Sequence, residues 1–280
     1  MSPEDFDLFA HMVKQRSGLV LTRDKAYFLE SRLLTVMRKY NMKSLEDIAD
    51  NVRNNRDENL MRDITDATTT NETMFFRDRK LFLEFQKDIL PKILTARAGK
   101  KHLRIWSAAC SSGQEAYSLA MMLNEEKAAL DGWKIDIIGT DIAKDMVTRA
   151  TNGTYTQFEV QRGLPVRMLV KYFTQPAVDK WQIKDDIKKM VQFREGNLLQ
   201  DFGPIGVFDA IFCRNVLTYL DVQTRTHLLG ALTSVLATDG YLLLGRSETA
   251  GGFERLKPLN VDNGFYSIDN HAPAVAHARA

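Results

Sequence analysis

Arg214, Asn215 and Tyr219 follow closely on the apolar run Phe208 to Cys213, and that placement is where chemistry is first expected. A short continuous apolar run reads as a buried parallel strand, and open α/β sheets bind ligands just beyond the carboxyl ends of such strands. The same residues are equally suited to opening the next helix. Asp141 closes a second run, Ile137-Ile138-Gly139-Thr140. A carboxylate there can accept hydrogen bonds from the two hydroxyls of a ribose, or it can cap the helix beginning at Ala143. Glu115 falls in the first turn of a predicted helix, where it can hold a cation or hydroxyl or simply favour the helix dipole. Glu195-Gly196-Asn197-Leu198 ends a third strand and places Asn197 where an adenine ring would lie.

The elements that must position these residues alternate from residue 103 onward. Strands are expected at Leu103–Ala109, Ile135–Thr140, Val191–Arg194, Phe208–Phe212, Gly240–Gly245 and Gly264–Ile268, and helices at Gln114–Leu130, Ala143–Thr151 and Val222–Ala237. Such alternation argues a doubly wound, mostly parallel sheet with right-handed crossovers. Residues 153–190 interrupt the rhythm with Tyr155, Phe158, Tyr172, Phe173 and Trp181, too apolar for a loop, and read as a small inserted β-rich subdomain.

Residues 1–70 read as helices only. Phe6, Phe9, Met12 and Val13 share one face and stop at Gly18; a second helix spans 24–40; Ser44 and Asp47 form a capping-box pattern; a fourth helix runs from Asp57 to Ala67. A polar run, Thr68 to Thr73, leads into an amphipathic helix from Asp78 to Ala96, which Pro91 should kink. The expected organisation is therefore a helical domain at 1–70, a linker and helix at 71–98, an α/β domain at 99–268 and a mobile tail at 269–280.

Composition narrows the function. The formal charge of the 280 residues is +2, from 38 basic and 36 acidic side chains, so the chain is no general polycation for nucleic acid. Five histidines show no metal-ligand spacing with one another or with Cys110 and Cys213, so no metal is expected, and the two cysteines are expected reduced. No stretch approaches the roughly 20 apolar residues of a membrane span. The opening Met-Ser-Pro-Glu-Asp-Phe-Asp lacks secretory features, so a cytoplasmic location without membrane insertion is expected. Gly-x-Ser-x-Gly and the phosphate-binding loop are missing, and the turn Ala108 to Ser118 holds a single glycine, which fails the dinucleotide fingerprint. A class I S-adenosylmethionine-dependent methyltransferase is the better reading than a dehydrogenase.

Thr70-Asn71-Glu72-Thr73-Met74-Phe75-Phe76-Arg77, Trp106 to Ser118 and Phe208 to Tyr219 together resemble the CheR-type chemoreceptor glutamate O-methyltransferases, motif by motif and in order. The likeness runs from the N-terminal helices to residue 268. It implies a Rossmann-like methyltransferase domain behind an all-α domain that covers the cofactor. It also implies S-adenosyl-L-methionine as methyl donor, S-adenosyl-L-homocysteine as product, and the cytoplasmic domain of methyl-accepting chemoreceptors as partner. By the same resemblance Asn71, Thr73, Arg77, Glu115, Asp141, Asn197, Leu198, Arg214 and Asn215 line the cofactor site, and Tyr219 lies beside the reacting methyl. Gln114 and Ala116 depart from the Glu and Pro that relatives often carry. The family's catalytic arginine precedes the first strand, where Arg97 is the nearest candidate.

Lys25, Arg32 and Lys39 recur every seven residues along the second helix, in a stretch, 14–43, that holds eight basic and two acidic side chains. A basic stripe can receive an acidic substrate or be a plain solvated face; the family's use of this helix against glutamate-rich receptors favours substrate recognition. A nucleic-acid methyltransferase is disfavoured, because Arg214-Asn215-Val216-Leu217 replaces the Asp/Asn-Pro-Pro-aromatic turn used on bases, and Phe212 precedes Cys213 where a cytosine-attacking cysteine follows proline. A non-catalytic sensor of the same cofactor is disfavoured by Tyr219. Nothing in the sequence specifies an oligomeric state.

Overall fold

A computed structural model describes residues 1–200, 202–259 and 264–269. The tail expected at 269–280 lies, beyond Asp269, outside the described residues. The chain divides into two compact units, one of Met1–Thr70 with Tyr219–Arg225, the other of Asn71–Thr218 with Thr226–Ala280.

The first unit is built from α1 (Pro3–Ser17), α2 (Ala26–Lys39), α3 (Leu45–Asn54) and α4 (Glu58–Thr68). Each boundary has a local cause. Ser2 caps α1 by accepting the Asp5 N–H, and Gly18 ends it in the left-handed conformation at φ 77°. The Ser44–Asp47 capping box opens α3, and the Asp57 carboxylate caps α4. Phe9, Val13, Leu29, Leu33, Ile48, Leu60 and Ile64 are fully or almost fully buried and form one core. Residues 219–225 join this unit through the Val20 N–H, which donates to the Tyr219 carbonyl at 2.9 Å, and an ion pair of Lys14 with Asp221 at 2.6 Å.

The second unit opens with α5 (Arg79–Glu84), a π-helical turn at Phe85–Ile89, and α6 (Leu90–Arg97). Pro91 offers no N–H and crowds the carbonyl four residues back, so the preceding turn widens where a kink was expected. The sheet is β1 (His102–Ala108), β2 (Lys134–Asp141), β6 (Val191–Glu195), β7 (Phe208–Cys213), β8 (Leu236–Leu244), β9 (Leu256–Pro258) and β10 (Phe265–Ile268), in the order β6-β2-β1-β7-β8-β10-β9. The first five are parallel, and β10 runs antiparallel to both of its neighbours. The crossover helices are α7 (Gln114–Glu125), α8 (Lys144–Asn152) and α12 (Val222–Ser234). The order in which strands are added reverses between β1 and β7, which is the switch point at which such sheets open a crevice.

Residues 153–190 hold the expected strands as an antiparallel three-stranded sheet of β3 (Thr154–Tyr155), β4 (Phe173–Ala177) and β5 (Lys180–Ile183). Three short helices accompany them: α9 (Gln157–Gln161), α10 (Val166–Tyr172) and α11 (Asp185–Lys188). This insertion is packed onto the segment after Asn71. Phe75 is fully buried edge-on between Tyr155 at 4.9 Å and Phe173 at 5.6 Å. Gly163, at φ 82°, passes so close that a Cβ there would stand 2.0 Å from the Phe75 carbonyl oxygen. Burial of the Phe75 ring contributes about 1.5–3 kcal/mol, and only glycine permits the approach at 163.

Candidate functional site

The site is built at the carboxyl ends of β1, β2, β6 and β7, all within the second unit. β1 delivers the turn Ala109 to Gly113, in which Ala109, Ser111 and Gly113 adopt positive φ of 59°, 50° and 93°. Left-handed backbone costs a non-glycine residue of order 1–3 kcal/mol and survives where neighbours hold it. Here the holder is Asp141 at the end of β2. Its carboxylate accepts the Ser111 N–H at 2.7 Å and the Ala143 N–H at 3.0 Å. Asp141 is therefore both a helix-entry acceptor and a strut under the β1 turn, with lone pairs remaining on both oxygens. Burial pushes its carboxyl above the ordinary aspartate value despite those amide bonds. The Tyr155 hydroxyl, from the insertion, donates to the Ser112 carbonyl at 2.8 Å and steadies the same turn.

Arg214 leaves β7 with its side chain only 2% exposed. Its guanidinium donates to Glu115 at 2.9 Å, to Asp78 at 2.5 Å and to the Arg77 carbonyl at 2.8 Å, while Glu115 also accepts the Ser107 hydroxyl at 2.7 Å. The buried Arg214 Nε has no hydrogen-bond partner. One guanidinium thus ties the 71–78 segment to the first turn of α7 and to the end of β7. Ser111 adds a second tie by donating its hydroxyl to the Asn71 carbonyl at 2.8 Å.

The expected residues Asn71, Arg77, Glu115, Asp141, Arg214 and Asn215 are thereby brought to one end of the sheet, with the half-buried Thr73 on the same segment as Asn71. Asn197 and Leu198 follow β6, whose last residue pairs with Asp141, and the Asn197 side chain accepts the Leu199 N–H at 3.0 Å. Tyr219, Lys25, Arg32 and Lys39 belong to the first unit. Lys25 sits in a short 3-10 turn ahead of α2, Arg32 lies over the Phe28 ring at 4.9 Å, and Lys39 pairs with Asp63 at 2.7 Å. All three are exposed.

Arg97 is placed elsewhere, and the expectation of a catalytic part for it is corrected. Its guanidinium is bound by Asp209 at 2.6 Å and by both carboxylate oxygens of Asp239. Asp209 is the second residue of β7 and also accepts the Arg104 N–H at 2.8 Å, so this lock closes the amino ends of the strands. At about 3.3 Å per residue, Arg97 is bound roughly 16 Å along β7 from Arg214. Arg97→Met should lower stability by about 2–3 kcal/mol, because a buried carboxylate loses its cation. S-adenosylhomocysteine affinity should be unchanged. Denaturant unfolding beside calorimetry checks both halves.

Two carboxylates escaped the sequence reading. Asp78 is expected only as the first residue of the amphipathic helix, yet it turns to Arg214 from a left-handed backbone at φ 58°. Glu248, 7% exposed in the turn after β8, accepts the N–H groups of Asn215 and Gly245, both at 2.7 Å. No local pattern marks either contact, since the partners are 136 and 33 residues away. Cys110 and Cys213 are free and buried, and burial pushes both thiols well above their usual range. Among the described residues no cluster of histidine, cysteine and carboxylate could hold a metal, and no helix is long and apolar enough to cross a membrane.

A family model described as "CheR methyltransferase, SAM binding domain" matches residues 71–261, and one described as "CheR methyltransferase, all-alpha domain" matches residues 4–69. The chain is 39% identical over 247 residues to Chemotaxis protein methyltransferase 1 of Pseudomonas aeruginosa, covering 87% of this chain and 89% of that protein. It is 36% identical over 251 residues to Chemotaxis protein methyltransferase Cher2 of Pseudomonas putida, covering 89% and 91%. A Chemotaxis protein methyltransferase of Vibrio anguillarum is likewise 36% identical, over 254 residues and 90% and 91% of the two chains.

Proposed function

This chain belongs to the CheR methyltransferase family, and from that premise we propose that it methylates glutamate side chains in the cytoplasmic domain of chemoreceptors, in the cytoplasm. S-adenosylmethionine is the cofactor, and it supplies a methyl group made electrophilic by a sulfonium. The observation that carries the reading is the convergence of residues 71–78, 107–115 and 214–215 on the Arg214 guanidinium at the switch point of the sheet.

The residues present fit that cofactor. Asp141 offers a buried carboxylate with free lone pairs to ribose hydroxyls, Arg214 keeps a buried Nε without a partner, and the small side chains of 107–113 leave the backbone open to close approach. Asn197 and Leu198 are assigned to the adenine side, and Asn71, Thr73, Arg77, Glu115 and Asn215 to the remaining contacts.

A receptor glutamate is already ionised near neutral pH, since its reference pKa is about 4.3. No side chain of this protein therefore has to take a proton. What the protein must do is align the carboxylate with the methyl, exclude water and avoid holding the carboxylate too firmly. Tyr219, four residues beyond Asn215 in the chain, is assigned the orienting hydroxyl. An arginine assisting it would be Arg77, whose backbone is bound to Arg214, and not Arg97.

Transfer of labelled methyl from the cofactor tests the reading. Base-labile label on a receptor cytoplasmic fragment, and none on RNA, is expected; label on RNA alone would overturn it. Reversal of Lys25, Arg32 and Lys39 to glutamate should raise the Michaelis constant for receptor and weaken its salt dependence, because exposed pairs are screened over about 10 Å at 0.1 M salt. Cofactor affinity should not move. Receptor kinetics identical across a salt series would leave the stripe a solvated face.

A further inference from the structure

We infer that Glu248 is a positioning residue for methyl transfer, acting through the backbone of Asn215. The inference rests on the methyltransferase reading above and adds to it a residue from the far side of the sheet's switch point. β7 and β8 pair in parallel to their last residues, Cys213 opposite Leu244, and the chain leaves both at the same level. Glu248 closes the gap between the two exits. Its Oε2 accepts the N–H of Asn215 and the N–H of Gly245, each at 2.7 Å, and its Oε1 accepts the Thr218 N–H at 3.4 Å.

Two backbone donors lie at 2.7 Å from one carboxylate oxygen, with the Thr218 N–H farther off at 3.4 Å from the other, and charge-assisted bonds as short as the first two are stronger than neutral ones. What they hold is specific. Asn215 sits at φ 61°, a left-handed conformation that asparagine adopts more readily than other non-glycine residues, and the Glu248 carboxylate is what anchors its N–H there. With the Asn215 amide fixed, the course of the chain from Arg214 to Thr218 is fixed as well. Glycine at 245 is part of the same device. A Cβ there would stand 2.7 Å from Glu248 Oε2 and 3.0 Å from Asn215 Nδ2, so only glycine lets the carboxylate reach its donors. Glu248 touches none of the reacting atoms in this account. It sets the backbone that presents residues 214 and 215.

The test compares Glu248→Gln with the unaltered protein by calorimetry with S-adenosylhomocysteine, by steady-state methylation of a receptor fragment, and by the amide resonance of Asn215. In Glu248→Gln one backbone donor faces a side-chain NH2. The dissociation constant should rise about tenfold to a hundredfold, the scale of hydrogen bonds to a charged acceptor. The turnover number should fall with it, and the Asn215 amide should move upfield. Gly245→Ala keeps the carboxylate but displaces it, and should show the same losses; it keeps the question open to refutation if Glu248→Gln does not fold. A lowered melting temperature with unaltered affinity and turnover in the folded variants would overturn the inference and leave Glu248 a structural cap. Absence of S-adenosylhomocysteine binding by the unaltered protein would instead overturn the methyltransferase reading, and this inference with it.

Discussion

Arg214→Met should abolish measurable S-adenosylhomocysteine binding and cost the protein about 3–5 kcal/mol of stability, the range found when one partner of a buried ion pair is removed. The substitution keeps most of the apolar volume beside Phe82 while stranding Glu115 and Asp78, whose side chains are 13% and 29% exposed. It also frees the 71–78 segment, which Arg214 holds through the Arg77 carbonyl. In a domain of this size the melting temperature should drop on the order of 10 °C. Arg214→Lys should recover part of the stability and little of the binding, since a point charge cannot span two carboxylates and a carbonyl as a planar fork does. A thermal melt and a titration on the same sample decide the matter. A folded Arg214→Met protein with unaltered melting and affinity would show that the convergence of the three segments is incidental.

Asp141 should give the second large effect, and a pH signature. Asp141→Ala removes the acceptor of the Ser111 and Ala143 N–H groups together with the proposed ribose contacts. Affinity should fall about tenfold to a hundredfold, as for lost hydrogen bonds to a charged group. The sign of the pH dependence follows from burial, which raises the folded-state pKa above the unfolded one. The group's contribution to stability is therefore fully present below the unfolded pKa and is lost as pH rises through the folded pKa. Ribose hydroxyls donate to the ionised form, so affinity should rise over that same interval. Opposite slopes of stability and affinity are expected as pH rises from the ordinary aspartate pKa through the raised folded-state one, and Asp141→Asn should flatten both. Parallel slopes would remove Asp141 from the ribose site.

The alternation of strands and helices was legible because the central parallel strands are buried on both faces and read as short apolar runs; β7, buried at all six positions, is the clearest case, whereas β6 at the sheet edge is exposed at three of its five. β8 was read late. Ala237-Thr238-Asp239-Gly240 looks like a turn, but it is a register shift inside a strand that begins at Leu236, with Phe208 opposite Leu236 and Ala210 opposite Tyr241. β9 is three residues long and ends in proline, too little for any periodicity. The insertion concealed its helices for the same reason, none exceeding seven residues.

In the candidate site, the residue types that end strands were visible and their partners were not. Glu115 and Arg214 lie 99 positions apart, and only the fold reveals that they share a bond. Arg97 had the right place in sequence order and lies at the wrong end of the strands, a distinction that order alone does not carry. Phe75 and Phe76 are adjacent in the sequence, and nothing local tells their partners apart. Phe76 packs on Phe82, at 5.3 Å, whereas Phe75 turns to the insertion.

The two buried cysteines make this protein ready for site-specific labelling. Cys110 and Cys213 are 2% and 0% exposed, and with their thiols held protonated they offer almost no thiolate to maleimide reagents near neutral pH. The chain holds only these two. A dye attached through Val178→Cys, at a position 94% exposed on the insertion, would therefore report from one known place without prior removal of native thiols. Fluorescence anisotropy of that single dye could follow receptor docking in a protein whose binding residues are all unaltered.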